Sequence, residues 1–126
     1  MSLVFANISL SNPRETDLEP IEENALVDSG AITLIIPEHI RLQLKYKELE
    51  KREVKTTDGK NHLVPYVGPV QIKFKNRSCF TGAFVLGDSV LMGALPMEDM
   101  DLVVHPSRKE ITVNPKSPNI PTAIVK

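Results

Sequence analysis

A single carboxylate interrupts an otherwise apolar, β-prone run of the sequence. Residues 25–37 are ALVDSGAITLIIP, with Asp28 followed by Ser29 and Gly30. A buried carboxylate is strongly destabilising unless it is paired, hydrogen-bonded or protonated, so something must compensate Asp28. A carboxylate at a turn can act as a general acid or base, and Gly30 permits a close backbone approach there that a Cβ would prevent. Asp28 is therefore the first candidate for chemistry.

Other reactive residue types do not form a recognisable site. Ser29 lacks the Gly-x-Ser-x-Gly elbow expected of a serine hydrolase nucleophile, and no phosphate-cradling Gly-rich loop is present. Four further candidates lie in separate segments without metal-ligand spacing: His39, His62, His105 and Cys79. Glu98, Asp99 and Asp101 lack the Gly-containing loop of a calcium site, and we expect them on a solvated helix face. The sequence predicts neither a metal nor a cofactor.

Length, charge and cysteine usage limit the class of protein. A chain of 126 residues and 14.0 kDa predicts one domain. The 15 Lys and Arg against 16 Asp and Glu give a net charge of -1, so no overall field attracts nucleic acid or an anionic membrane. The lone Cys79 fits a reducing compartment, and neither an export signal nor an apolar run of roughly 20 residues is found. We expect a cytoplasmic protein without nucleic-acid or membrane partners.

The elements that must position Asp28 are mainly strands. Apolar and β-branched runs predict strands over residues 3–10 and 21–27 and a short strand just before Pro37. Pro37 suits the first turn of a helix, which we expect over residues 37–45 because Ile40 and Leu44 lie on one face. The mixed-charge run KYKELEKREVK that follows is expected to be a solvated helix end or loop.

Hairpins dominate the second half of the chain. Asp58-Gly59 between alternating segments predicts a hairpin with a type I′ turn, with arms at residues 52–57 and 60–67. A second hairpin is predicted around Asn76-Arg77. A short strand should end at Gly93 before a brief helix, and LVVHP and EITVNP predict a closing hairpin. A Pro-containing tail is expected to follow.

Three segments, in this order, resemble the single-domain aspartic proteases related to the retroviral enzymes, including bacterial members of uncharacterised role. These segments are ALVDSGAITLIIPEHI, the hairpin TTDGK and VLMGALPMEDMDLVVHP. The family pattern has two apolar residues before Asp-(Thr/Ser)-Gly-Ala, then a hairpin called the flap, then two apolar residues and Gly before a short helix. The resemblance covers roughly residues 21–114. It implies a closed β-barrel-like retropepsin fold with one or two short helices over residues 1–115, and a C-terminal tail at 116–126.

The resemblance also implies a site and an assembly. Asp28 is the implied catalytic carboxylate, and Ser29 and Gly30 complete its loop, with the Ser29 hydroxyl crosslinking two such loops. The implied substrate-binding residues are Ala31, Ile32, Thr57, Asp58, Gly59, Lys60, Val90 and Met92. Family hydrolysis needs two carboxylates that share a proton around one water, and this chain has one such motif. The expected protein is thus a homodimeric aspartic endopeptidase that acts on polypeptides without metal or cofactor.

Two departures from the retroviral pattern keep a second hypothesis open. The flap tip TTDGK has one Gly instead of a Gly-rich tip. Ala94-Leu95-Pro96 follows Gly93, where the retroviral group has an Arg-Asn pair that supports the catalytic loop and the dimer. The alternative is a catalytically inactive module of the same fold that binds an extended peptide under the flap by strand addition.

Overall fold

The computed structural model describes residues 3–125 of the chain. This part contains nine strands and two α-helices. The strands are β1 (Val4–Ser11), β2 (Ile21–Val27), β3 (Leu34–Ile36), β4 (Lys47–Lys55), β5 (Asn61–Phe74), β6 (Arg77–Val85), β7 (Leu91–Met92), β8 (Leu102–His105) and β9 (Glu110–Val113). The helices are α1 (Glu38–Gln43) and α2 (Ala94–Asp99), and a 3₁₀ turn spans Pro106–Arg108. The predicted mainly β character is confirmed.

Six of the strands close into a barrel. The sheet order is β1-β2-β7-β3-β6-β5-β4, and β1 also pairs with β5, so the ring closes through β1 and leaves β4 outside it. β8 and β9 form a separate two-stranded sheet, which is the predicted closing hairpin. The strand pairing confirms the predicted closed barrel.

Every second residue of β1 fills the barrel interior. In β1, Val4, Ala6, Ile8 and Leu10 are buried, whereas Phe5 between them is exposed. This alternation is typical of a strand with one face on the core, because successive side chains point to opposite faces. The same alternation made this strand predictable from the sequence to within one residue at each end.

The two helices are short and lie where the sequence predicts them. α1 begins immediately after Pro37, and the two apolar residues predicted to share a face, Ile40 and Leu44, are buried. α2 begins after Gly93. No helix within residues 3–125 has both the length and the apolar character needed to cross a membrane.

Residues 47–55 of the mixed-charge run form β4, so the predicted helix end or loop is wrong for residues 47–51, whereas residues 52–55 confirm the predicted hairpin arm. β4 pairs antiparallel with β5, starting with Lys47 opposite Gly68. Its side chains are exposed apart from the half-buried Val54, so the run lacks the burial pattern that marks a strand in sequence. Pairing with the apolar β5 determines the structure of this segment, because an edge strand needs no buried face of its own.

Tyr66 fixes the base of the β4–β5 hairpin. A Cβ at Gly82 would overlap the Tyr66 ring, so this glycine makes room for it. The ring lies 5.2 Å from that of Phe84 at a tilt of 55°, and the Arg52 guanidinium lies 3.9 Å from its centroid. Residues 61–65 of β5 pair with β4 alone, so the hairpin extends out of the barrel beyond this aromatic base.

The C-terminal segment is attached to the barrel by polar contacts. The Asn76 side chain donates to the Pro118 carbonyl at 2.9 Å, and the buried Arg77 donates to the Ser117 carbonyl. No helix or strand occurs between residues 114 and 125. Met1, Ser2 and Lys126, which belong to the predicted domain and tail, lie outside the described residues.

Candidate active site

Backbone hydrogen bonds hold the loop that follows β2. The Asp28 N–H donates to the Met92 carbonyl at 3.0 Å, and the Asp28 carbonyl accepts the Ala31 N–H at 3.1 Å. The Asp28 carboxylate accepts the Gly30 N–H through Oδ1 at 2.9 Å. Asp28 is half-buried. Partial exposure and a backbone donor together compensate the carboxylate that interrupts the apolar run.

β7 lies between the strand that enters this loop and the strand that leaves it. It runs parallel to β2, with Leu91 opposite Leu26, and antiparallel to β3, with Met92 opposite Leu34. Three more bonds join the start of α2 to the loop, from the N–H groups of Gly93, Ala94 and Leu95 to the carbonyls of Thr33, Ala31 and Ile32 at 3.0, 2.9 and 2.9 Å. The loop is therefore fixed by main-chain groups rather than by side-chain packing alone.

Gly93 lies where the segment 91–95 packs tightly against the Asp28 loop. A Cβ at this position would lie 2.5 Å from the Thr33 carbonyl oxygen and closer still to that of Ala31. Both obstacles are backbone atoms, so a side chain at residue 93 would require the loop itself to move. The glycine predicted to end the short strand is thus required by the contact between β7 and the Asp28 loop.

The predicted substrate-binding residues near the loop differ in their exposure. Ala31 is half-buried, and the Ile32 side chain is 65% exposed, so both can meet a ligand. Val90 and Met92 instead belong to the hydrophobic core. Both side chains are buried in the single chain, where Met92 supports the Asp28 loop through its carbonyl, and their contact with a substrate stays a prediction.

Ser29 is one of the residues that line an open groove of about 840 Å³. Its walls are Phe80 and Thr81 of β6, helix α2, and residues 122–124 of the C-terminal segment. Ser29 is exposed, and the Phe80 and Leu95 side chains in the groove are 63% and 53% exposed. The groove therefore combines exposed apolar side chains with the carboxylates of Glu98, Asp99 and Asp101, and it reaches the candidate catalytic loop at Ser29.

The tip of the β4–β5 hairpin is a three-residue loop, not the predicted two-residue type I′ turn. The Gly59 N–H donates to the Thr56 carbonyl at 2.9 Å, and the Thr56 N–H donates to the Lys60 carbonyl at 3.0 Å. Gly59 has a φ of 83°, whereas Asp58 has no positive φ, which is the form of a type I turn with a bulge. Hydrogen bonds from the Thr56 hydroxyl and the Lys60 N–H lower the pKa of Asp58 below its usual value.

The hairpin tip and the Asp28 loop are separate in the single chain. The hydrogen bonds found at residues 56–60 stay within the hairpin, and the groove that begins at Ser29 is not lined by the tip. Thr57, Asp58, Gly59 and Lys60 are exposed. The structure thus brings together the loop residues 28–31 and the segment 91–95, but not the tip.

Asp101 is a polar anchor that sequence analysis missed by placing it on a solvated helix face. α2 ends at Asp99, and Asp101 is half-buried with a φ of 56°. Its carboxylate accepts the Ser117 hydroxyl, the Asn114 side-chain N–H at 3.0 Å and the Thr122 N–H at 3.0 Å. In that order of importance, these donors lower the pKa of Asp101 to about 2. No local signal predicts this, because the partners lie 13 to 21 residues further on.

The other titratable candidates do not assemble into a site. His39 and His62 are exposed, while His105 Nε2 lies 2.8 Å from the Thr112 hydroxyl oxygen. Cys79 is buried, and burial raises the pKa of its thiol to about 12, with a smaller contribution from the Asp99 charge. Within residues 3–125, no group of three or more His, Cys, Asp or Glu side chains could hold a metal ion.

No protein-family model matches the chain, and no curated protein matches it significantly. The geometry of the site is therefore the basis for its possible chemistry. The loop offers one partly exposed carboxylate at a fixed position, flanked by an exposed hydroxyl. A carboxylate can take a proton from water, but a single ionised carboxylate cannot also donate one to a carbonyl. The loop of one chain therefore offers one carboxylate, whereas acid–base hydrolysis by carboxyl groups needs two.

Proposed function

We propose that this protein is an aspartic endopeptidase of the retropepsin type, active as a homodimer. The observation that carries the proposal is the Asp28 loop, fixed by backbone bonds to a strand inserted between its two flanking strands. The resemblance of the three sequence segments supports the same assignment. The proposed substrate is a polypeptide and the proposed location is the cytoplasm, with no metal, cofactor, nucleic acid or membrane involved.

The proposed reaction uses the two Asp28 carboxylates of a dimer as one unit. Two carboxylates at close range cannot both ionise, so the pair holds one proton and one negative charge. The ionised carboxylate removes a proton from the water that attacks the peptide carbonyl, and the protonated carboxyl donates a hydrogen bond to the carbonyl oxygen. Collapse of the tetrahedral intermediate breaks the C–N bond, and the amine leaves with a proton from the pair.

The surface around Ser29 supports the proposed assembly. Ser29 is exposed, and the exposed apolar side chains of Ile32, Phe80 and Leu95 lie on or beside its loop and groove. Burial of such side chains between two chains removes apolar surface from water, which favours association. Contacts of this kind would take the place of the missing Arg-Asn pair. In the dimer, the Ser29 hydroxyl would bridge the two catalytic loops and the exposed hairpin tips would contact substrate.

The direct test is cleavage of a denatured peptide pool by the wild type and by Asp28→Asn between about pH 3.5 and 7.5. Asp28→Asn removes the charge at nearly constant shape and should abolish turnover, because both proton transfers need a carboxyl group. Asp17→Asn is the matched control, since Asp17 is exposed in the β1–β2 connection, and it should keep full activity. Turnover that survives Asp28→Asn would overturn the proposal.

A mixing experiment tests the shared active site. Specific activity should rise with protein concentration as dimers form. An excess of the Asp28→Asn variant should then suppress the wild-type activity, because mixed dimers contain only one carboxylate. Activity proportional to concentration, and unaffected by the variant, would instead indicate catalysis by one chain.

A peptide-binding module without catalysis is the second candidate. Outer-edge backbone groups of β4 at the end of the seven-stranded sheet favour it, because an extended peptide can pair with such an edge. This candidate predicts saturable peptide binding without turnover in the wild type. Asp28-dependent cleavage would exclude it.

A further inference from the structure

A second cavity, of about 230 Å³, lies where β4 begins beside β5. Lys47, the first residue of β4, lines it opposite Gly68 of β5, and Arg14, Glu15 and Lys45 complete the charged part of its wall. Pockets for drug-sized ligands have volumes of about 300–1,000 Å³. This cavity is smaller and fits a compact ion better than an organic molecule of that size.

The charges around this cavity are unbalanced. Three cationic side chains, Arg14, Lys45 and Lys47, share it with one carboxylate, Glu15. The ion pairs found within residues 3–125 involve other cations, namely Arg41, Lys51, Arg52 and Arg108. Positive charge thus exceeds negative charge in this concave site, and Arg14, Lys45 and Lys47 form no ion pair within residues 3–125, which favours a bound anion.

A buried side chain fixes the two loops that carry these cations. Asn12 is 5% exposed and donates through Nδ2 to the Leu44 carbonyl at 2.8 Å and to that of Lys45 at 3.4 Å. Its Oδ1 accepts the Arg14 N–H at 2.9 Å. The turn after β1 and the loop after α1 are therefore joined at one residue, so the backbone positions of Arg14 and Lys45 are set before any ligand arrives.

The hydrogen bonds that end helix α1 also fix the Lys45 backbone, in addition to the bond from Asn12. The Tyr46 N–H donates to the Arg41 carbonyl at 3.1 Å, and the Lys45 N–H donates to the Leu42 carbonyl at 3.2 Å. These are the two bonds of a Schellman cap, with Lys45 at the left-handed position and a φ of 54°. The cap directs the chain from α1 into β4, so Lys45 and Lys47 reach the same cavity.

We propose that this cavity binds a phosphate group. An Arg guanidinium presents paired N–H donors that match phosphate oxygens, and two Lys ammonium groups add point charges around the same compact dianion. The group comes either from free phosphate or from a phosphorylated side chain of a polypeptide. A bound phosphate joins the β1–β2 connection, the end of α1 and the base of the β4–β5 hairpin. This assignment does not rest on the proposed peptidase function.

The test is a titration of the isotopically labelled full chain with inorganic phosphate, at constant ionic strength maintained with sodium chloride. We expect saturable shifts of the backbone amides of residues 12–15 and 44–47. Lys45→Gln/Lys47→Gln should weaken binding by about tenfold or more, because two charge-assisted contacts are lost. Glu15→Gln should tighten binding, because it removes the opposing charge.

The matched control is Lys73→Gln/Lys109→Gln. Lys109 has the same left-handed backbone as Lys45, with a φ of 54°, and Lys73 lies on a strand as Lys47 does. This variant has the same net charge as the pocket variant and should bind phosphate like the wild type. Equal weakening in both variants would indicate non-specific attraction and would overturn the proposal.

A peptide carrying phosphoserine and its unphosphorylated counterpart identify the source of the group. Saturable binding of free phosphate supports a free-phosphate site, and binding of the phosphopeptide alone supports a phosphorylated side chain. If neither phosphate nor phosphopeptide shifts residues 12–15 and 44–47 saturably, the proposal is wrong.

Discussion

The same local turn occurs at Asp28 and at Asp58, in surroundings that differ in every other respect. In both turns, Oδ1 of the Asp accepts a backbone N–H from two residues further on, Gly30 at 2.9 Å and Lys60 at 3.0 Å. The turn at Asp28 is joined by main-chain bonds to β7 and α2, whereas the bonds of the turn at Asp58 stay within one hairpin.

An Asx turn alone does not fix the position of its carboxylate relative to the barrel. Asx turns form readily because the Asp side chain accepts a nearby N–H in either setting. Only the Asp28 turn also has long-range backbone partners, which hold its carboxylate in one place relative to the barrel. A reactive group needs such a position, whereas the exposed hairpin tip can change shape without disturbing the core.

The largest effect should come from a side chain at the contact between the Asp28 loop and α2. Gly93→Ala places a Cβ against the Thr33 and Ala31 carbonyls, so the backbone must shift. We expect unfolding free energy to fall by about 4 kcal/mol, above the usual range for overpacking, because backbone atoms are in the way. Urea denaturation measures this. A loss below about 1 kcal/mol would mean that the loop is not rigid.

The next effect should come from the core beneath the Asp28 loop. Met92 is fully buried, so Met92→Ala should leave a cavity and cost about 3 kcal/mol. Leu63 on the hairpin is 69% exposed, and Leu63→Ala should change stability by less than about 0.5 kcal/mol. Thermal and urea unfolding of both variants measure the two losses of stability. Equal losses would contradict the expected difference between the core and the hairpin.

A smaller effect is expected at the hairpin tip. Gly59 has a φ of 83°, but a Cβ there meets no atom within 4 Å. Gly59→Ala should therefore cost about 1 kcal/mol from backbone strain alone. Gly59→Asn should cost less, because Asn tolerates this conformation better. An Asn variant that is as unstable as the Ala variant would contradict strain as the cause.

The smallest effect concerns the titration of Asp58. Its lowered pKa stabilises the folded protein at pH values above the usual carboxyl pKa, and this contribution is lost as the pH falls through the lowered value. Thr56→Val removes the main donor and should raise the pKa of Asp58 towards its ordinary value. Thr57→Val is the control and should leave this pKa unchanged. NMR titration of the carboxyl carbon measures both, and identical midpoints would exclude the Thr56 contribution.

Alternation and turn residues made most of the barrel predictable from the sequence. The short strands β1, β2 and β3 and helix α1 follow from apolar periodicity and from Pro37. The strand at residues 47–51 is not predicted from the sequence, because its charges carry no burial pattern and its strand structure depends on pairing with β5. The turn at Asp58 was predicted one residue too short, because a lone Asp-Gly pair fits both forms of hairpin.

The sequence indicates where the candidate site lies but does not predict its three-dimensional arrangement. Asp28 stood out because it interrupts an apolar run. The insertion of β7 between β2 and β3 could not be derived, because it joins residues more than 50 positions apart. For the same reason the sequence does not show that Val90 and Met92 lie in the core of the single chain. The Asp101 anchor was missed because its partners are distant in the chain.

The charged edge strand β4 has a consequence for solubility. An unpaired strand edge can recruit another extended chain and start edge-to-edge aggregation. The Lys and Glu residues exposed along β4 oppose this, because pairing with another strand would remove part of their charge from water. The proposed homodimer would then form through the surface around Ser29 rather than by pairing between sheets. Replacing the charged residues of β4 with neutral ones would allow edge pairing to compete with that dimer.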